Sequence, residues 1–273
     1  MMFIKSLFLA FSMFSCIPVP NVAWSKKNMR YLMVAFPFVG VVISLLCAFW
    51  LFFVFKIAAA WQGNFSLHFW ALGLTLIPIF VTGGIHVDGF MDTCDALASH
   101  APREKKLEIL KDSHSGAFAV LGCVLYFLSF YVLSYEFTAK CAVLSLEMLK
   151  KSEFVRLILP FLSVFVISRL FSALAVSVFP IAKNSGLVHT FSSNGARLFT
   201  AVWCEFWLCA ISLALIYFCG RRGMLPVMTS LLVFIWYFFM AKRNFGGITG
   251  DTAGFFVQIC EIFGLLGIVI VMN

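Results

Sequence analysis

The sequence predicts an all-α fold, a polytopic integral membrane bundle of about six to seven transmembrane helices, and three observations lead there. Hydrophobic residues make up 62% of the 273 and charged residues 12%, with a mean hydropathy of +1.01, so polar surface is too scarce to solvate a globule. Apolar runs near the ~20 residues that a spanning helix needs recur along the chain. The polar residues are confined to short stretches between those runs.

The chain opens with Lys5 followed by an apolar run that ends at Ile17-Pro18-Val19-Pro20. With one charge and no small-x-small cleavage site it reads as an amphipathic or partly inserted helix rather than a signal peptide. Spans are then expected at 31–55, 67–85, 116–134, 154–179, 198–219, 223–241 and 252–272. They leave a single domain, 1–273, with polar loops near 82–115, 180–197 and 242–252.

Nine Cys raise the question of disulfides or a metal, but no CxxC pair exists and Cys47, Cys123, Cys204, Cys209, Cys219 and Cys260 fall inside apolar runs. They read as small buried hydrophobes. The net charge of +8 is spread through the loops, without the basic stripe that nucleic acid requires. Under alternating spans, twelve of the twenty Lys and Arg fall on the side of the N-terminus and seven on the other, with Arg169 inside a span. The positive-inside rule then places the first side in the cytoplasm.

Of twelve acids, Asp88, Asp92, Asp95, Asp112 and Asp251 are assigned to that side. The run from Thr82 to Asp95 reads as a helix resuming after Gly83-Gly84. On it Asp88, Asp92 and Asp95 fall within about a 60° arc. Three carboxylates on one face repel each other unless a cation sits among them. Mg²⁺ takes a few carboxylates together with substrate phosphate oxygens. Acids at this spacing are also what the wet side of an interfacial helix shows. Here the mouth of a span, where charge is costly, and the absence of interleaved bases favour the metal.

Gly89 leaves backbone room for a phosphate ester. His86 falls away from the acids, in a supporting role or in contact with substrate. The segment 102–111 reads as a surface helix whose end, Lys111-Asp112, is able to fold back over the aspartate face. Lys183 and Arg169 read either as cations at a membrane boundary or as clamps for diphosphate oxygens. Glu205 and Glu261 are both candidates to pair with Arg169. The run Gly246-Gly247-Ile248-Thr249-Gly250-Asp251-Thr252 offers backbone amides and Asp251 to an anion and its metal.

These residues resemble the adenosylcobinamide-GDP ribazoletransferase (cobalamin synthase) family over nearly the whole chain. The resemblance rests on Ile17-Pro18-Val19-Pro20, Phe36-Pro37-Phe38-Val39-Gly40, the Thr82 to Asp95 run, Lys111-Asp112-Ser113 with Gly116-Ala117-Phe118, Ser168-Arg169, Phe179 to Gly186, and Gly247 to Thr252. The chain departs from the family's pattern at His114-Ser115, Lys183 and Ala119. The resemblance implies a multi-pass enzyme of the cell inner (plasma) membrane that joins adenosylcobinamide-GDP to α-ribazole, or its 5′-phosphate, and releases GMP. In that reaction Mg²⁺ would be held by Asp88, Asp92, Asp95 and Asp251, with Asp95 as base. Asp92, Asp112 and Lys111 would act beside it, and His86, Gly89, Arg169, Lys183, Gly247 and Thr249 would bind substrate.

Three rivals fit less well. CDP-alcohol phosphotransferases carry an Ala-Arg pair where this chain has Met91-Asp92. Intramembrane prenyltransferases want a second acid-rich motif, and Asp251 stands alone. A divalent-cation transporter needs acids at mid-membrane on several helices, of which Glu205 and Glu261 are the only candidates.

Overall fold

A computed structural model describes residues 2–60, 66–146, 151–182, 188, 190–191 and 196–272. Its elements are α1 (Met2–Phe14), α2 (Lys26–Met29), α3 (Leu32–Ala35), α4 (Pro37–Ala60), α5 (Leu67–Thr82), α6 (Ile85–Ala98) and α7 (Arg103–Ile109), then α8 (Ala117–Leu146), α9 (Lys151–Val178), α10 (Arg197–Cys219), α11 (Leu225–Phe245) and α12 (Gly250–Met272). Among the described residues six helices are long and apolar enough to cross a membrane, namely α4 and α8 to α12. A seventh exists if α5 and α6 are one span, but they meet at 93°. The chain is thus a polytopic helical membrane protein.

Two expected spans are cut by local chemistry. The run from residue 31 breaks before Pro37, which opens α4 where a missing N–H costs nothing, so 32–35 forms a separate turn. The run from residue 67 stops at Thr82 because Gly83 and Gly84 are both left-handed, at φ 62° and 77°. A side chain with a Cβ resists two such steps in succession. They turn α6 sharply out of the line of α5.

Every helix of the bundle is apolar on most sides, as expected where lipid covers the outer face. α9 and α12 are the most buried spans. α10 lies at the periphery, with Leu198 80% and Tyr217 82% exposed. α1 lies against the bundle with Ser6, Leu9 and Ala10 buried. Ser6 donates to the Asn28 carbonyl (2.6 Å), and the Cys16 amide donates to Val81 (2.8 Å).

The three polar loops meet at one end. The Ile248 amide donates to Pro180 (2.8 Å) and the Ala182 amide to Ile248 (3.0 Å), forming a single β-bridge between Ile181 and Ile248. A Cβ on Gly247 would lie 2.5 Å from the Pro180 carbonyl, so this crossing requires glycine. α7 ties in from the side: Arg103 packs on Gly246 and donates to Ala182 (3.4 Å), while Lys106 donates to Asn244 (2.7 Å).

A candidate acidic active site at the helix ends

Two helices bring the carboxylates together. α6 carries Asp88 exposed and Asp92 and Asp95 half-buried. α12 starts with a reciprocal cap, in which the Thr249 amide donates to Thr252 Oγ1 (2.8 Å) and the Thr252 amide to Thr249 Oγ1 (3.2 Å). This capping box fixes the first turn and sets Asp251 in the favourable field of a helix N-terminus. The helices cross on glycines: a Cβ on Gly89 would stand 2.8 Å from the Asp251 carbonyl oxygen, and one on Gly254 would stand 3.1 Å from the His86 carbonyl oxygen. Small residues at a crossing let two backbones approach closely. The space that Gly89 leaves is therefore taken in part by α12.

Burial pushes the Asp92 carboxyl up to about 6, and the charges of Asp88, Asp251 and Asp95 add to the effect. Those charges are all negative, so Asp92 sits inside a carboxylate field. Asp95 has a second task. Its Oδ2 accepts from the Gly116 amide (2.5 Å) and its Oδ1 from the Ala119 amide (2.8 Å), which caps the start of α8. A Cβ on Gly116 would lie 2.6 Å from Oδ2.

Several expected site residues lie elsewhere. Arg169 is 1% exposed and donates to Glu261 Oε1 (2.6 Å) and to the Phe165 carbonyl (2.9 Å). It is half of a buried ion pair joining α9 to α12, so its guanidinium is engaged inside the bundle rather than presented to a diphosphate. Glu205, the other candidate partner, is exposed on α10. With Glu261 neutralised by Arg169, the acids expected of a cation path through the membrane are not in place among the described residues. Lys111 and Asp112 are exposed. Asp112 accepts from the His114 amide (3.0 Å) and lies 2.8 Å from His114 Nδ1, and the His114 hydrogen bonds hold its carboxyl below the usual range. Gly247 and Thr249 shape the loop and cap α12. Lys183 lies outside the described residues.

Beside the carboxylates is a cavity of about 270 Å³ whose walls include Met13, Phe14, Met33, Phe36, His86, Asp88, Val176, Phe191 and Asp251. Most of it is apolar. His86 is 6% exposed, stacks on Phe14 (6.1 Å between centroids) and meets Phe36 edge-on (5.6 Å). Burial, then the charge of Arg169, lowers its imidazole to about 3, so it is neutral. Its Nε2 is buried without a hydrogen-bond partner.

The aromatic walls were hidden from sequence reading among thirty-four Phe. Arg103 and Lys106 were also missed, because their spacing is that of a solvated helix face. The Thr249-x-x-Thr252 spacing was the one legible sign of the cap.

The donor set suits Mg²⁺ in kind: hard carboxylate oxygens gathered in one negative field. Among the described residues no three His, Cys, Asp or Glu side chains are placed to hold an ion by themselves.

The fold and site define a polytopic membrane protein with an acidic, aromatic-walled cleft at its helix ends. Residues 6–269 match the cobalamin-5-phosphate synthase family. The chain belongs to that family, and is thereby a transferase of cobalamin biosynthesis. It is 36% identical, over 99% of its length and 95% of the relative's, to an adenosylcobinamide-GDP ribazoletransferase of Lachnoclostridium phytofermentans. It is 29% identical to one of Clostridium botulinum, over 96% and 95% of the two chains. To one of a Geobacillus species it is 31% identical, over 93% and 90%. No solved structure matches it.

Proposed function

We propose that the chain transfers the cobinamide-phosphoryl group of adenosylcobinamide-GDP to a ribose hydroxyl of α-ribazole, or of its 5′-phosphate, with release of GMP. The observation that carries this reading is the meeting of Asp88, Asp92 and Asp251, from two helices, beside a cavity able to take an organic acceptor. The hydroxyl oxygen bonds to the phosphorus that carries cobinamide. The bond from that phosphorus to the GMP oxygen breaks, and GMP leaves with the electron pair.

Asp92 is the better base. Its carboxyl near 6 is suited to accept a proton at neutral pH, whereas both oxygens of Asp95 already accept backbone amides. Asp88 and Asp251, with Asp92, would hold Mg²⁺, which supplies neutralisation of diphosphate charge and of the leaving GMP. Lys111, exposed at the end of the segment that leads into α8, is available to close on phosphate. The polar end faces the cytoplasm of a cell inner membrane, on the distribution of Lys and Arg.

The test is incubation of the purified protein in lipid with Mg²⁺, adenosylcobinamide-GDP and α-ribazole. GMP should appear in step with the joined product. Its absence, where a relative works under the same conditions, removes the reading.

A further inference from the structure

We propose that the cavity walled by Phe14, Phe36 and Phe191 is the seat of the acceptor's planar base, and that it makes the enzyme prefer benzimidazole-type bases over purines. This rests on the reaction proposed above and adds a location and a specificity to it.

Three features of the cavity converge. Its rings are close enough to form a continuous apolar wall: Phe14 lies 4.4 Å from Phe36 and 6.4 Å from Phe191 between centroids. Met13, Met33 and Val176 complete a mostly apolar lining that gains from an aromatic body, its polar side chains being Ser172, His86 and the carboxylates. Second, the lining includes one buried polar atom without a partner, His86 Nε2. A benzimidazole joined to ribose through one nitrogen keeps a single ring acceptor, its other nitrogen. One free imidazole nitrogen and one base nitrogen match in number, whereas a purine brings several polar edge atoms to a wall that is mostly apolar away from the carboxylates. Third, the carboxylates in the same wall are Asp88 and Asp251. A base seated here carries its ribose to the acids that handle the phosphate.

Size and polarity exclude the other reactant. About 270 Å³ is far too small for a corrin ring, and the apolar lining is unfit for a guanosine diphosphate. The cavity draws its walls from α1, α3, α6, α9 and α12 together with residues 188 and 191, so it depends on the folded bundle.

The experiment measures KM and kcat for both substrates, and equilibrium binding of α-ribazole alone, in lipid-reconstituted wild type, Phe191→Leu, Met33→Gln and His86→Phe. Phe191→Leu should raise KM for α-ribazole about tenfold and leave KM for adenosylcobinamide-GDP unchanged, which also shows that the variant is folded. Met33→Gln should narrow the preference for α-ribazole over the corresponding adenine riboside. An indole riboside, which lacks the acceptor nitrogen, should bind wild type less well than α-ribazole, and His86→Phe should erase that difference. Variants that raise KM only for adenosylcobinamide-GDP, or that leave α-ribazole binding unchanged, overturn the assignment. If wild type binds α-ribazole and releases no GMP, the reaction proposed above fails while the binding measurement still decides the cavity.

Discussion

Gly89 of α6 and the backbone of Asp251 in α12 are in direct contact, and a single methyl group at position 89 would reach within 2.8 Å of the Asp251 carbonyl oxygen. That contact sets how far apart the carboxylates of the two helices stand. Gly89→Ala should push α6 and α12 apart by a few tenths of an ångström or more and lower kcat by up to about a hundredfold. The check is GMP release alongside thermal unfolding: full activity in a folded variant would mean that the crossing does not position the acids.

The Asp92 carboxyl, raised to about 6, gives the metal requirement a pH dependence with a definite sign. Above 6 the group is ionised and favours a cation. As pH falls through 6 it takes up a proton and that attraction is lost. Apparent Mg²⁺ affinity is expected to be level well above pH 6 and to weaken below it, and Asp92→Asn should abolish the step. An affinity that stays level through this range takes Asp92 out of the ligand set.

Asp95 and Asp92 should separate on substitution. Asp92→Asn is expected to cut kcat by about 10²-fold or more, the scale of a lost general base. Asp95→Ala removes the cap of α8 and should cost about 0.5–2 kcal/mol, with faster amide hydrogen exchange at Gly116 and Ala119. If exchange at those amides is unaltered while turnover collapses, the capping role is the wrong one.

The Arg169–Glu261 pair is buried on both sides, at 1% and 0% side-chain exposure. Removing one partner strands the other charge, so Glu261→Ala should destabilise the protein by about 3–5 kcal/mol. Replacing both by apolar residues of similar size should restore much of the loss. Unfolding in detergent reads both outcomes, and a double variant as unstable as the single one argues against a stranded charge.

Much of the fold was legible because membrane spans announce themselves by unbroken apolar length, and the Gly83-Gly84 break by the backbone freedom only glycine has. The acid face at Asp88 and Asp92 was legible because helical periodicity is local. What sequence left open is decided across long separations. Glu261 rather than Glu205 meets Arg169 because α12, not α10, lies against that side of α9. Asp95 turns to cap α8 through an amide 21 residues away, a relation without a local signature. The aromatic wall is assembled from Phe14, Phe36, His86 and Phe191, scattered along the chain and none unusual in its own segment.

The cavity takes Met13 and Phe14 from the first helix and Gly250 to Gly254 from the last, so its two edges leave the ribosome nearly a whole chain apart. During synthesis α1 can pack on the early helices, but the cavity lacks its far wall until α12 has entered the membrane. Arg169 waits for Glu261, 92 residues later, as a lone charge in a half-built bundle. Insertion of the final helix is therefore the step at which the bundle becomes both electrically neutral at its centre and able to bind. Chains stalled before it should be marked for degradation by the same unpaired arginine that later holds the finished protein together.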